Sequence, residues 1–291
     1  MPREVTISAC QYHVREIGGF EDMAMRVRTL LDQASGSDIV VFPELFTIEL
    51  FTTLKNWKTR PISELVLIDE FTRDYQSLFS EEARRRGQFI AAGSHLVKVS
   101  EDRFENIAFL FGPNGELFQH SKTHIFPAEA HWSTSEGSKM EVIQLPFAKV
   151  GFNICYETEI PECSASLVEQ GAEIILTPSA TFTEQGFWRV RHCAQSRCIE
   201  NQIYLVHCCL GGQPGGPLPN GWAQSSVLGP CDLAWTNPAG IIAQAPTNVE
   251  TTVTGTVNLD LLYDNRETGA ATTFKDRRRR ADLYRAWPSH L

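Results

Sequence analysis

Three segments of the sequence place a reactive side chain where an apolar run stops: VVFPEL around Glu44, GELFQHSKTH around Lys122 and VGFNICYE around Cys155. A thiol that has lost its proton attacks a carbonyl carbon well. A carboxylate can take that proton and hand it to a leaving group, and an ammonium steadies an oxygen that becomes negative. Together the three would support acyl transfer through a covalent intermediate. Singly, none is informative, because a Glu after a strand is commonly a surface carboxylate, a Lys in a hairpin is commonly solvated and a Cys after Ile is commonly core. His120, His124 and His131 bracket Lys122 and raise two other chemistries, metal binding and a Cys–His pair. Neither H-E-x-x-H nor a cysteine partner pattern accompanies them, so a structural His124 and no metal are expected. Glu157, two places after Cys155, is expected to hold its turn through hydrogen bonds.

Such groups need a rigid frame. Val5–Gln11 reads as a strand, and Phe20, Met23, Val27, Leu30 and Ala34 recur at helical spacing. Asp38–Phe42 is a buried strand ending at Pro43-Glu44. Phe71, Tyr75, Leu78, Phe79 and Ala83 mark a helix stopped by Gly87, followed by strands Phe89–Val99 and Arg103–Phe111. Gly112-Pro113-Asn114-Gly115 signals a hairpin into Glu116–Lys122. The second half repeats the alternation: strand Val150–Cys155, helix Pro161–Gln170, strand Glu173–Thr177, helix Gly186–Asn201 and strand Gln202–Leu210. Gly211–Gly221 is a turn-rich loop, and no linker divides the chain, so a single α/β domain is expected. Past Asp260 the pattern weakens, and the basic run Lys275–Arg280 reads as a solvated or partner-contacting tail.

Composition excludes several classes. Apolar residues at 42% and charged residues at 21% are ordinary for a folded globular chain. With 35 acidic against 26 basic residues the formal charge is -9, which disfavours nucleic acid as a partner. No apolar run has the length of a membrane span, and MPREVTISACQ lacks the features of a signal peptide, so a cytoplasmic setting is expected. Eight cysteines without C-x-x-C pairs suggest neither a zinc ribbon nor a disulfide scaffold.

In chain order, apolar-F-P-E-L, then K-x-H, then G-x-N-I-C-Y-E resembles the Glu–Lys–Cys signature of the nitrilase superfamily of carbon–nitrogen hydrolases. The resemblance runs from Val5 to about Leu262 and takes in Arg103-Phe104-Glu105-Asn106, GPNGELFQHSKTH, CYE-x-x-x-PE and Ala194–Leu205. It implies a four-layer α-β-β-α sandwich over residues 1–262, with residues 263–291 as a tail that contacts other subunits of a homodimer or larger homo-oligomer. It also implies Cys155 as nucleophile, Glu44 as base, Lys122 with the backbone N–H of Tyr156 at the oxyanion, and no metal or organic cofactor. A second glutamate is implied, matched by Glu129 seven positions after Lys122, with Glu136 as the alternative. By analogy of fold, His131, Trp132, Ser179, Ala180 and Thr181 would line the substrate pocket. Tyr156 stands where nitrile-cleaving members usually carry Trp, which favours a small amide or N-carbamoyl substrate over a nitrile. A silent binding or scaffold member of the fold, and a Cys–His peptidase, are the contrasting classes.

Overall fold

The computed structural model describes residues 3–133 and 135–285. The first half of the chain forms β1 (Glu4–Val14), α1 (Phe20–Gln33), β2 (Ile39–Val41), α2 (Thr72–Arg86), β3 (Phe89–Ser100), β4 (Arg103–Phe111) and β5 (Leu117–Ser121). The second forms β6 (Ile143–Gln144), β7 (Lys149–Phe152), α3 (Pro161–Glu169), β8 (Ile174–Ser179), α4 (Glu184–Asn201) and β9 (Tyr204–Gly212). After these come β10 (Ser226–Leu228), β11 (Ile241–Gln244), β12 (Thr251–Asn258), α5 (Leu259–Thr268), α6 (Thr273–Arg279) and α7 (Ala281–Arg285).

The halves are built alike. β1, β2 and β3 run parallel with α1 and α2 as crossovers, and β7, β8 and β9 run parallel with α3 and α4 as crossovers. Antiparallel strands complete each set: β4, β5 and β12 on the first, β6, β10 and β11 on the second. Tyr12–Val14 of β1 pair with Leu210–Gly212 of β9, so the two sheets join along one line.

Strand alternation sorts the side chains into layers. Ile7, Ile39 and Ala91 of the first sheet meet Phe152, Leu176 and Val206 of the second in one apolar cluster. The opposite face of the first sheet, with Tyr12, Phe42 and Phe109, packs on Val27 and Leu30 of α1 and Phe79 of α2. Ile175 and Leu205, on the outer face of the second sheet, pack on Leu167 of α3 and Ala194 and Cys198 of α4. The result is the four-layer α-β-β-α sandwich that the resemblance implied.

Several local expectations need correction. The strand expected over Val150–Cys155 ends at Phe152, because the chain must turn before Cys155, whose φ of 46° is left-handed. Gln202 is likewise left-handed (φ 48°) and caps α4, so β9 starts at Tyr204 rather than Gln202. Residues Phe46–Thr53, Trp57–Thr59 and Ile62–Phe71 form tight 3₁₀ turns that no apolar period announced. The expected tail is helical, and α5 crosses residue 262 without a break. Within this segment Arg277 donates to Asn201 at 2.6 Å, Arg278 pairs with Glu169 at 3.1 Å, and Arg278 stacks on Phe274. Residues 286–291 of that tail lie outside the described residues. Among the described residues, no helix is long and apolar enough to cross a membrane.

Candidate active site

Each reactive side chain sits just past a strand, on a turn that its neighbours enforce. Beyond β2, the backbone of Phe42 still pairs with Ala91, and Leu45 then takes a left-handed φ of 47° while its N–H donates to Ser94 Oγ at 3.1 Å. This turn presses against Gly93, itself left-handed at φ 69°, where a Cβ would lie 2.1 Å from the Pro43 carbonyl oxygen. Glycine alone fits both demands. Gly93→Ala is therefore expected to destabilise the fold by at least about 1–3 kcal/mol and to depress turnover by displacing Glu44. Paired denaturation and activity measurements check this; a neutral outcome on both would show that the Pro43–Gly93 approach does not position the carboxylate.

Lys122 follows β5 and is fixed at both backbone ends: its N–H bonds the Asn106 carbonyl at 2.9 Å and its carbonyl accepts from Gly137 at 2.8 Å. Glu129 comes from the short turn Pro127–His131, and Cys155 opens the turn Cys155–Glu159 after β7.

These elements bring Glu44, Lys122, Glu129 and Cys155 to the wall of one cavity of about 160 Å³. Lys122 Nζ lies between the two carboxylates, 2.7 Å from Glu44 Oε1 and in direct contact with Glu129 Oε2. Asn106 Nδ2 donates to both, at 2.9 Å to Glu44 Oε1 and 3.0 Å to Glu129 Oε1. The Ala180 N–H holds Glu44 Oε2 at 2.9 Å, and the Phe126 N–H holds Glu129 Oε2 at 2.8 Å. Cys155 Sγ accepts from Ser179 Oγ at 3.3 Å.

Burial dominates the electrostatics. It pushes the Glu44 carboxyl above its ordinary range, with Lys122 opposing the shift and Glu129 adding to it. Burial also works against the Lys122 ammonium, but Glu129 and Glu44 outweigh it and keep this lysine charged beyond its usual range. The Cys155 thiol is raised well above normal by burial and then by Glu44, with Lys122 pulling the other way. The resting thiol therefore keeps its proton at neutral pH. The buried cysteines elsewhere, such as Cys10, Cys198 and Cys208, are raised too, so position rather than acidity separates Cys155 from them.

The remaining expected residues divide. Trp132, Ala180 and Thr181 line the cavity. Ser179 is not part of the lining; it is buried behind the sulfur it donates to. His131 is exposed and outside the lining, because the 3₁₀ turn that sends Glu129 inward sends His131 out. Glu136 is also exposed and binds the Ile125 N–H at 2.9 Å, so Glu129 is the glutamate that reaches Lys122. The Tyr156 ring packs edge-on against Phe126. Glu157 is fully buried and accepts from Ile154 N (2.6 Å), Thr123 N (2.7 Å) and His120 Nε2 (3.0 Å), tying the Cys155 turn to the Lys122 strand end. Burial alone would raise its pKa, but His120 and Thr123 outweigh it and hold the carboxylate below the ordinary range. His124 is exposed but engaged, by Thr123 Oγ at 2.9 Å and Cys163 Sγ at 3.7 Å, and of the three histidines around Lys122 the buried one is His120.

Asn106 is the site residue that residue-by-residue reading missed. Pairing of Ile107 with Ser121 sets it across from Lys122, and the available signal was a polar side chain directly before the apolar run Ile107–Phe111 of β4. Among the described residues, no group of three or more His, Cys, Asp or Glu side chains is disposed to hold a metal ion.

Residues 6–267 match the carbon–nitrogen hydrolase family. The probable hydrolase YhcX of Bacillus subtilis is 37% identical over 96% of this chain and 54% of its own length, so the chain spans about half of that relative. The omega-amidase NIT2 of Danio rerio is 25% identical over 96% of the chain and 95% of its own length. In three dimensions the fold resembles that of the C. elegans NitFhit protein (TM-score 0.77, 21% identity, covering 97% of this chain and 66% of that one). It also resembles a cysteine-to-serine mutant of the Nesterenkonia AN1 amidase from the nitrilase superfamily (TM-score 0.72, 18% identity, covering 98% of each chain).

Proposed function

Since the chain belongs to the carbon–nitrogen hydrolase family, within the nitrilase superfamily, we propose that it is a cysteine-dependent hydrolase that cleaves the non-peptide C–N bond of a small amide or N-carbamoyl compound through a thioester on Cys155. The observation that carries the reading is the shared cavity, in which a buried thiol, a buried carboxylate and a buried ammonium line one wall.

Cys155 Sγ attacks the carbonyl carbon while its proton passes to Glu44. Because the thiol is held protonated and the carboxyl is a stronger base than usual, attack and proton transfer belong to one step. The oxygen turns negative beside Lys122. An ammonium has three N–H donors, and Glu44 and Glu129 engage two of them, which leaves one for the oxyanion. The backbone N–H of Tyr156 is the second donor in this reading. Glu44 returns its proton to the departing nitrogen, the amine leaves, and Glu44 then deprotonates the water that opens the thioester. Glu129 and Asn106 keep Lys122 and Glu44 in register. An N-carbamoyl substrate would release its amine together with carbon dioxide and ammonia. A cytoplasmic homodimer or larger homo-oligomer belongs to the same reading and rests on the family resemblance.

The pH dependence follows from the sign of the Glu44 shift. Turnover needs this carboxylate ionised, so activity falls as pH drops through its pKa, and the raised pKa places that acid limb above the ordinary carboxylate range. Lys122 stays charged far into alkali, so no lysine limb should cut the plateau near pH 10. The test is ammonia release from amide, carbamoyl and nitrile panels across pH. Amide or carbamoyl turnover with an acid limb above pH 4.5 supports the reading, and turnover confined to nitriles overturns it.

A further inference from the structure

The cavity that holds Cys155 is mostly apolar apart from the reacting groups and two threonines. Leu45, Ile48, Leu65, Phe126, Trp132 and Phe182 supply much of its wall. Among the described residues of that wall, Lys122 is the one cation, and it already faces two carboxylates. Of the wall hydroxyls, Thr181 Oγ donates to the Trp222 carbonyl at 3.1 Å, and Thr183 Oγ caps α4 by accepting from Gly186 N at 3.1 Å. The start of α4 is thus occupied by its own cap, and Glu184 in its first turn adds a further negative charge. Arg189 lies outside the wall, over the Phe126 ring, and pairs with Glu159 at 2.7 Å.

A second anion bound here would be buried beside two glutamates with no second cation in the described wall to pair it, where the uncharged side-chain donors are Trp132 Nε1 and the Thr183 hydroxyl. We infer that the substrate's acyl group is neutral and apolar, with about six non-hydrogen atoms within the cavity; a dry, apolar cavity of about 150 Å³ accommodates benzene. This inference rests on the hydrolase reading above and narrows it, favouring alkyl or aryl amides over amides and carbamoyl compounds that carry a carboxylate on the acyl side. Leaving a buried charge unpaired typically costs about 3–5 kcal/mol, which corresponds to roughly 10²–10⁴ in kcat/KM.

The test uses two amides of nearly the same shape, 4-methylpentanamide and succinamate, which differ in carrying an isopropyl group or a carboxylate at the far end. Two readouts are taken on the purified chain: ammonia release, and protection of Cys155 from iodoacetamide. The expected result is hydrolysis of 4-methylpentanamide at least about 10²-fold more efficiently than succinamate, with protection by the neutral amide alone. Succinamate turned over as well as or better than its neutral partner overturns the inference and leaves the hydrolase reading standing. Protection by the neutral amide without ammonia from any amide or carbamoyl compound supports the pocket's selectivity and overturns the hydrolase reading. Protection by neither amide overturns the inference.

Discussion

Replacing Cys155 by alanine is expected to lower amide turnover by about 10⁴–10⁶-fold, the usual scale for removing a covalent nucleophile, while changing fold stability by no more than about 1 kcal/mol. The two halves of this prediction have separate origins. Turnover is lost because, among the described cysteines, Cys155 is the one in the wall of the cavity that also holds Glu44 and Lys122. Stability is nearly kept because alanine meets the same left-handed backbone cost as cysteine, at φ 46°, and the sulfur's close polar neighbours are one hydroxyl, Ser179 Oγ at 3.3 Å, and the more distant Ala180 carbonyl at 3.9 Å. Serine should do little better, since its hydroxyl is far less acidic than a thiol and Glu44 would have to strip it in the same buried setting. Steady-state ammonia release and denaturant unfolding check the pair. Activity within tenfold of the native chain would remove Cys155 from the mechanism.

Glu44→Gln is expected to cut kcat by about 10²–10⁴, and to do so while making Cys155 more acidic. The carboxylate is among the causes holding the thiol protonated, and its removal leaves the charge of Lys122 to act on the sulfur with less opposition. Alkylation of Cys155 by a small electrophile should therefore reach its plateau at lower pH in the variant, although amide hydrolysis collapses. A role for Glu44 in packing alone would not move the two readouts in opposite directions. The variant should also lose about 1–3 kcal/mol of stability, because the amide nitrogen of Gln must face a donor, either Ala180 N or the Lys122–Asn106 pair.

Much of this site was legible because three of its residues follow apolar strands whose period is easy to read, as in Asp38–Phe42 before Glu44. The layers were legible for the same reason: Ile174, Ile175 and Leu176 send alternate side chains to different clusters, as a strand between a sheet and a helix must. What escaped was cross-strand and turn geometry. Asn106 matters because β4 and β5 pair in a register that sets it opposite Lys122, which no local window reports. His131 was misplaced because a 3₁₀ turn, rather than an inward-facing loop, carries Glu129. Strand β12, with the sequence TTVTGTVN, alternates too weakly to announce itself, and its place is fixed by pairing with β1 almost 250 residues earlier. Helix α6 buries no residue, so it has no apolar stripe to read.

The most direct test of the account is rapid-quench mass spectrometry of the chain while it turns over a neutral amide, with the Cys155 peptide followed through time. This peptide should gain the mass of the acyl group during turnover, lose it to hydroxylamine as a thioester does, and carry no such mass in Cys155→Ala. Steady ammonia release with the acyl mass on another residue, or with Cys155 unmodified throughout, would contradict it.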